Sequence, residues 1–390
     1  MNKTIRYIMI KGMVLFAIFS QSIGVQAAPQ AIQVVLNQQE QRGINPIIEK
    51  GTTLVPLRSV SDLLGASISW DGSTKTIVIV QNQVTNTLTL NETIAYKEDG
   101  NEKTKIQLSL APTAKNGTTY VPLRYIAESL NVKVSWDQEA RQINMNESLN
   151  YNNQKIFLGE STQEIMKVLG RPSFTMADEV YEYLFYIDDY KNALILYSTG
   201  DIITGFATNA QTMEFRDIRY NSKKDGYISG MTILRYQHDG NKVVGLGCNM
   251  NSANPSTKAS LLANERIIFE LTNAFRAHNN IAPFKYNDKL SNVARKHSKD
   301  MADKDYFSHT SLDGTSMSER ISQGGINWSR CGENIAAGNQ TGFDAFGQWL
   351  NSLGHRKNML EQSGDLGVGS AYNGSSTYGY YQTQNFAYIR

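Results

Sequence analysis

The sequence predicts an α+β fold in three domains, and three observations carry that reading. Residues 30–147 repeat themselves at an offset of 66 positions, each copy joining one helical stripe to short β-branched strands. Residues 155–249 place one capped helix before a run of strands, and residues 259–390 place several helical stripes before two strands. Helices and antiparallel strands grouped this way make mixed layers rather than a doubly wound parallel sheet.

Residues 1–27 read as a secretory signal. Lys3, Arg6 and Lys11 form a basic start without an acid. Met13 to Phe19 is an apolar core too short to span a bilayer, and Val25-Gln26-Ala27 offers small residues for cleavage before Ala28. Losing these three positive charges takes the formal charge from +2 to −1. A near-neutral chain gives no electrostatic reason to expect nucleic acid as a partner. No second long apolar run follows, so no transmembrane anchor is expected and the chain is read as secreted, extracellular or associated with the cell wall.

The repeat comes next. Gly51-Thr52-Thr53-Leu54-Val55-Pro56-Leu57-Arg58 recurs as Gly117-Thr118-Thr119-Tyr120-Val121-Pro122-Leu123-Arg124, and Ser69-Trp70-Asp71 recurs as Ser135-Trp136-Asp137. Leu57, Val60 and Leu64 keep helical spacing, as do Leu123, Ile126 and Leu130. Pro56 and Pro122 stand where a helix begins, because a missing N–H costs nothing in the first turn. Asp71-Gly72 marks a hairpin before the β-branched run Thr76 to Val80. Neither copy buries a core alone, so the two are expected to form one unit. The pattern resembles the stalk-like module named after the N-terminal domain of copper amine oxidases, which implies attachment or spacing. Residues 30–147 contain no histidine or cysteine, which excludes a copper site there. Arg58, Trp70, Arg124 and Trp136 either form a sugar-stacking surface or pack their rings and stems on the helix.

The Asn-rich stretch from Asn146 to Gln154 reads as a linker. Ser161 and Glu164 then have capping-box spacing, Ile165, Val168 and Leu169 form an apolar stripe, and Gly170 with Pro172 stops the helix. Tyr181 to Ile187, Ala193 to Tyr197 and Ile202 to Ala207 read as strands whose tyrosines line either a groove or a core. Met250 to Lys258 is a second linker.

In the last third, Ile267, Leu271, Ala274 and Phe275 form one helix face. Leu290, Val293, Ala294 and Met301 form another, with His297 on it as a hydrogen-bonded core residue. Three strings follow in order: Tyr306-Phe307-Ser308-His309-Thr310, Gly332-Glu333-Asn334-Ile335-Ala336 and Asn351-Ser352-Leu353-Gly354-His355-Arg356. Together they resemble the bacterial branch of the CAP superfamily, named for cysteine-rich secretory proteins, antigen 5 and pathogenesis-related proteins. Residues 155–249 resemble the domain that often precedes such a domain in bacteria.

The resemblance implies an α-β-α sandwich with a cleft of two histidines and two glutamates, a donor set suited to zinc or a similar divalent metal. His309 matches the first histidine and Glu333 the first glutamate. The second glutamate falls at Asn351 and Ser352, and the second histidine at Tyr381, so half of the set is absent. His355 is either a substitute third ligand or, with Arg356, a clamp on backbone carbonyls. The candidate cleft is therefore His309, Glu333, Tyr381, Ser352 and His355. The expected function is a secreted, non-enzymatic binding protein whose partner is a cell-wall polysaccharide or another extracellular ligand. The alternative is a metal-assisted hydrolase or peptidase using His309 and Glu333, although no Gly-x-Ser-x-Gly elbow or His-Glu-x-x-His string marks a catalytic centre. Cys248 and Cys331 can pair outside the cell, while Cys331 also reads as a buried apolar neighbour of Gly332.

Overall fold

The computed structural model describes residues 31–81, 83–216, 218–219, 231–236, 242–249, 256–361 and 364–389. The expected signal and residues 250–255 of the second expected linker lie outside them. Among the described residues, no helix is long and apolar enough to cross a membrane.

The repeat is built into the pairing of its two copies. Strand Thr52–Pro56 pairs antiparallel with Thr118–Pro122, and the register sets Val55 opposite Val121. These are equivalent positions of the two copies, so a local two-fold passes between them. Each strand runs straight into a helix, α1 (Leu57–Leu64) or α2 (Leu123–Ser129), with Pro56 or Pro122 at the N-cap. Leu57, Val60, Leu64, Leu123, Ile126 and Leu130 enter one shared core with Ile77, Ile79, Ile143 and Met145. The tryptophans stay outside it. Trp70 is 52% exposed and Trp136 36%, which favours the surface alternative of the two over a buried ring. Each tryptophan stands one residue before its strand ends, at Asp71 or Asp137.

The expected linker at 146–154 is not a linker. Strand Gln142–Tyr151 runs through it, turns, and pairs back with Gln154–Phe157. Ile143, Met145, Leu149 and Tyr151 face inward while the intervening residues are only partly covered. The asparagines occupy that outer face and hide the period of two. Glu147 faces inward too and is held by Arg216, whose Nε and Nη2 donate at 2.7 and 3.1 Å, and by Asn37 Nδ2 at 2.7 Å. A buried carboxylate survives only with such partners.

Ser161 caps α3 (Thr162–Leu169) by accepting the Glu164 N–H. The strands that follow form a six-stranded antiparallel sheet. Of the two readings of Tyr181, Tyr183 and Tyr197, burial favours the core. They are buried in one cluster with Ile267, Phe275, Phe343 and Trp349 of the last third.

In that last third, strands Lys285–Tyr286, Asp365–Tyr372, Tyr380–Ile389 and Trp328–Ala337 form one sheet. Helix α4 (Lys258–His278) covers one face, where Gln384 Nε2 donates to Thr272 Oγ1 at 2.8 Å. Helix α5 (Asp288–Lys304) covers the other, where Ser298 Oγ donates to Gly369 O at 3.0 Å. Gly367 and Gly369 let α5 lie directly on the sheet, since a Cβ at either would sit 2.1–2.2 Å from α5 backbone. Three shorter helices complete the layers: α6 (Met317–Gln323), α7 (Gly342–Leu350) and α8 (Leu353–Met359). This is an α-β-α sandwich within an α+β chain.

Candidate functional site

Helix α5 ends at Asp305, whose left-handed backbone (φ 50°) turns the chain into the segment 306–310. Two bonds fix that segment. Tyr306 OH donates to Asp300 Oδ2 at 2.6 Å, and His297 Nε2 donates to the Ser308 carbonyl at 3.0 Å. His309 is thereby delivered over the strand Trp328–Ala337, on the face that α5 covers. Its Nδ1 donates to Glu333 Oε1 at 2.9 Å, while 55% of its side chain remains exposed.

Glu333 is the floor of the site, with its side chain 1% exposed. Its second oxygen accepts from Arg320 Nη2 at 2.8 Å. Arg320 is set by α6, which starts in a capping box between Ser316 and Glu319, and its Nη1 also donates to Ser311 Oγ and the Thr315 carbonyl. His297 Nε2 lies 3.9 Å from Glu333 Oε1. Burial lowers the His297 pKa, so this ring is neutral near pH 7 with its proton on Nε2. Arg320 and His297 were not among the sequence candidates for the cleft. The capping-box spacing Ser316 to Glu319 was legible and marks the start of α6, but no local signal assigns Arg320 a partner thirteen residues on.

Behind Glu333 a polar ladder holds the next strings. Asn358 Nδ2 donates to the Glu333 carbonyl and to Asn334 Oδ1, and Asn334 Nδ2 donates to the His355 carbonyl and to Gln384 Oε1. Arg356 is buried and donates to the Leu350 carbonyl at 2.6 Å, a clamp on the backbone. His355 has its pKa lowered by burial and then by the charge of His309. Ser352 is the N-cap of α8 but makes no side-chain cap bond.

Tyr381 stands apart. Its register partner is Ala337, whereas Glu333 faces Asn385, four residues away along the strand. That is roughly 13 Å at about 3.3 Å per residue. Tyr381 is fully buried and its hydroxyl turns to Asp305 at 3.4 Å. The site thus brings together His309, Glu333, Arg320 and His297, with His355 beside them. Cys331 carries a free thiol two residues from Glu333, and the side chain of Cys248 lies outside the described residues.

Residues 34–145 match the family model of the copper amine oxidase N-terminal domain, and residues 269–386 match that of the cysteine-rich secretory protein (CAP) family. Over 121 residues the chain is 40% identical to the uncharacterized protein YkwD of Bacillus subtilis, covering 31% of this chain and 47% of that protein. Over 123 residues it is 37% identical to the uncharacterized membrane protein YlbC of the same organism, covering 31% and 34%. The chain thus spans less than half the length of either relative. Among solved structures, an extracellular protein containing an SCP domain from Bacillus anthracis shares the fold. Its TM-score is 0.50 at 23% identity, over 59% of this chain and 93% of that one.

Proposed function

We propose that this chain, whose C-terminal third is a CAP domain, is an exported protein that binds a polar ligand in the His309–Glu333 cleft without turning it over. One observation supports this most: both oxygens of Glu333 are already engaged, one by His309 and one by Arg320. A carboxylate facing a guanidinium is neutralised in place. It is a poor general base and a poor seat for a cation, because a divalent ion there would meet the Arg320 charge. The donor set therefore does not fit a tightly held zinc ion. What remains is an imidazole edge, fixed at Nδ1 and open at Nε2, suited to hydrogen-bonding a ligand.

Among the described residues, the candidate nucleophiles near this pair are not activated: burial raises the pKa of the Cys331 thiol. Ser308 Oγ accepts the Thr310 N–H at 3.1 Å, and Ser352 sits at the start of α8. Export follows from the basic start and short apolar core of residues 1–27, and the mature chain then begins at Ala28.

The test is an assay of exported, purified protein on labelled casein, with and without added zinc. N-terminal sequencing of the same material should read from Ala28. The expected result is no turnover above that of His309→Ala. Zinc-dependent cleavage abolished by His309→Ala would overturn the binding reading, and an intact Met1 on exported protein would overturn the processing site.

A further inference from the structure

We propose that the two-repeat unit carries a second, separate binding site: a groove for a linear polysaccharide, with Trp136 as its stacking platform. The groove has a volume of about 460 Å³ and lies between strand Thr52–Pro56 of the first copy and α2 with strand Val132–Asp137 of the second. That volume falls within the range of small-molecule sites, about 300–1,000 Å³.

Three features select a sugar. The first is the ring. Trp136 is 36% exposed, yet it is fixed, because its Nε1 donates to Gln138 Oε1 at 2.8 Å. A held aromatic face loses little conformational freedom on binding, and it is flat enough to take the C–H face of a pyranose. The second is the rest of the lining, which mixes apolar side chains with hydroxyls. Thr52 Oγ1 donates to Ser109 Oγ at 3.3 Å, and Thr53 and Ser135 line the same space. A sugar presents that alternation of apolar face and hydroxyl rim.

The third feature is charge. Among the described residues, Arg124 is the one charged residue lining the groove. Its side chain is 68% exposed and makes only a 3.8 Å contact with Glu128. One guanidinium suits hydroxyls or an occasional carboxylate, whereas a polyphosphate chain would call for several cations.

The duplication extends the argument from a sugar to a polymer. Trp70 occupies the position equivalent to Trp136 and is 52% exposed, with Arg58 exposed on the helix that precedes it. The local two-fold at Val55 and Val121 therefore gives the unit two indole faces. A single ligand that reaches both indoles must be a chain rather than one sugar.

The test uses the full chain in calorimetric titrations with two probes: chitohexaose, and peptide-free peptidoglycan glycan strands. Saturable binding is expected to at least one probe. Affinity should fall about tenfold or more in Trp136→Ala and stay within about threefold in Trp136→Phe. Arg124→Ala should weaken it as well. Melting curves confirm that each variant is folded. His309→Ala reports on the CAP cleft instead: binding lost in His309→Ala but kept in Trp136→Ala would place the site in that cleft and overturn the proposal. Binding of neither probe by the wild type, or wild-type affinity in Trp136→Ala, would overturn the proposal.

Discussion

His309 Nδ1 donates to Glu333 Oε1 at 2.9 Å, joining a half-exposed ring to a carboxylate that is almost wholly buried. The two partners differ in what each one's removal leaves behind. Glu333→Gln leaves the Arg320 guanidinium, 10% exposed, without a counter-charge. That should cost about 3–5 kcal/mol. His309→Ala removes a ring already in solvent and should cost less than about 1 kcal/mol. Urea unfolding of both variants measures the difference. Equal losses would mean that Glu333 is not held mainly by Arg320.

The contact between α5 and the sheet depends on glycine. A Cβ on Gly369 would stand 2.1 Å from Arg295 N and 2.3 Å from the carbonyl carbon of Ala294. Gly369→Ala must lift the helix, and should cost about 3 kcal/mol, the upper end for overpacking. Gly354, near the start of α8, has nothing within 4 Å of the added carbon. Gly354→Ala is the control and should leave the melting temperature unchanged or slightly raised.

Stability should fall in mild acid. Burial lowers the pKa of His297 below the ordinary 6.5. Below that pH the unfolded chain binds a proton at His297 that the folded chain does not. The contribution is therefore complete above about pH 6.5 and lost progressively as pH falls. Burial shifts His278 and His355 the same way. Melting temperatures measured between about pH 7.5 and 5 should decline for the wild type and less steeply for His297→Gln, which keeps a donor for the Ser308 carbonyl. An identical slope in the variant would remove His297 from this account.

Periodic or repeated features were the legible ones. The offset that separates Val55 from Val121 in sequence also sets them opposite each other in the sheet, because equivalent strands of two copies pair across a two-fold. His309 and Glu333 stood out through their strings, and the structure places their side chains in contact. The features that escaped depend on long-range packing. The outer-face asparagines of Gln142–Tyr151 concealed a strand as a linker. Trp136 reads either as a surface platform or as a ring packed on the helix, and only its exposure in the folded chain, 36%, separates the two. Arg320 joins the site only because α6 folds back against the strand Trp328–Ala337. Tyr381 shares a strand face with Asn385, but alternation gives the face and not the distance along it, and its hydroxyl lies with Asp305.

We propose a cleft built as a binding site on a neutralised carboxylate rather than as a metal centre. Calorimetry with zinc on the full chain near neutral pH tests it most directly. The account predicts no sub-micromolar site, and the same weak heats in His309→Ala as in the wild type. Sub-micromolar binding of one zinc per chain that disappears in His309→Ala would contradict it.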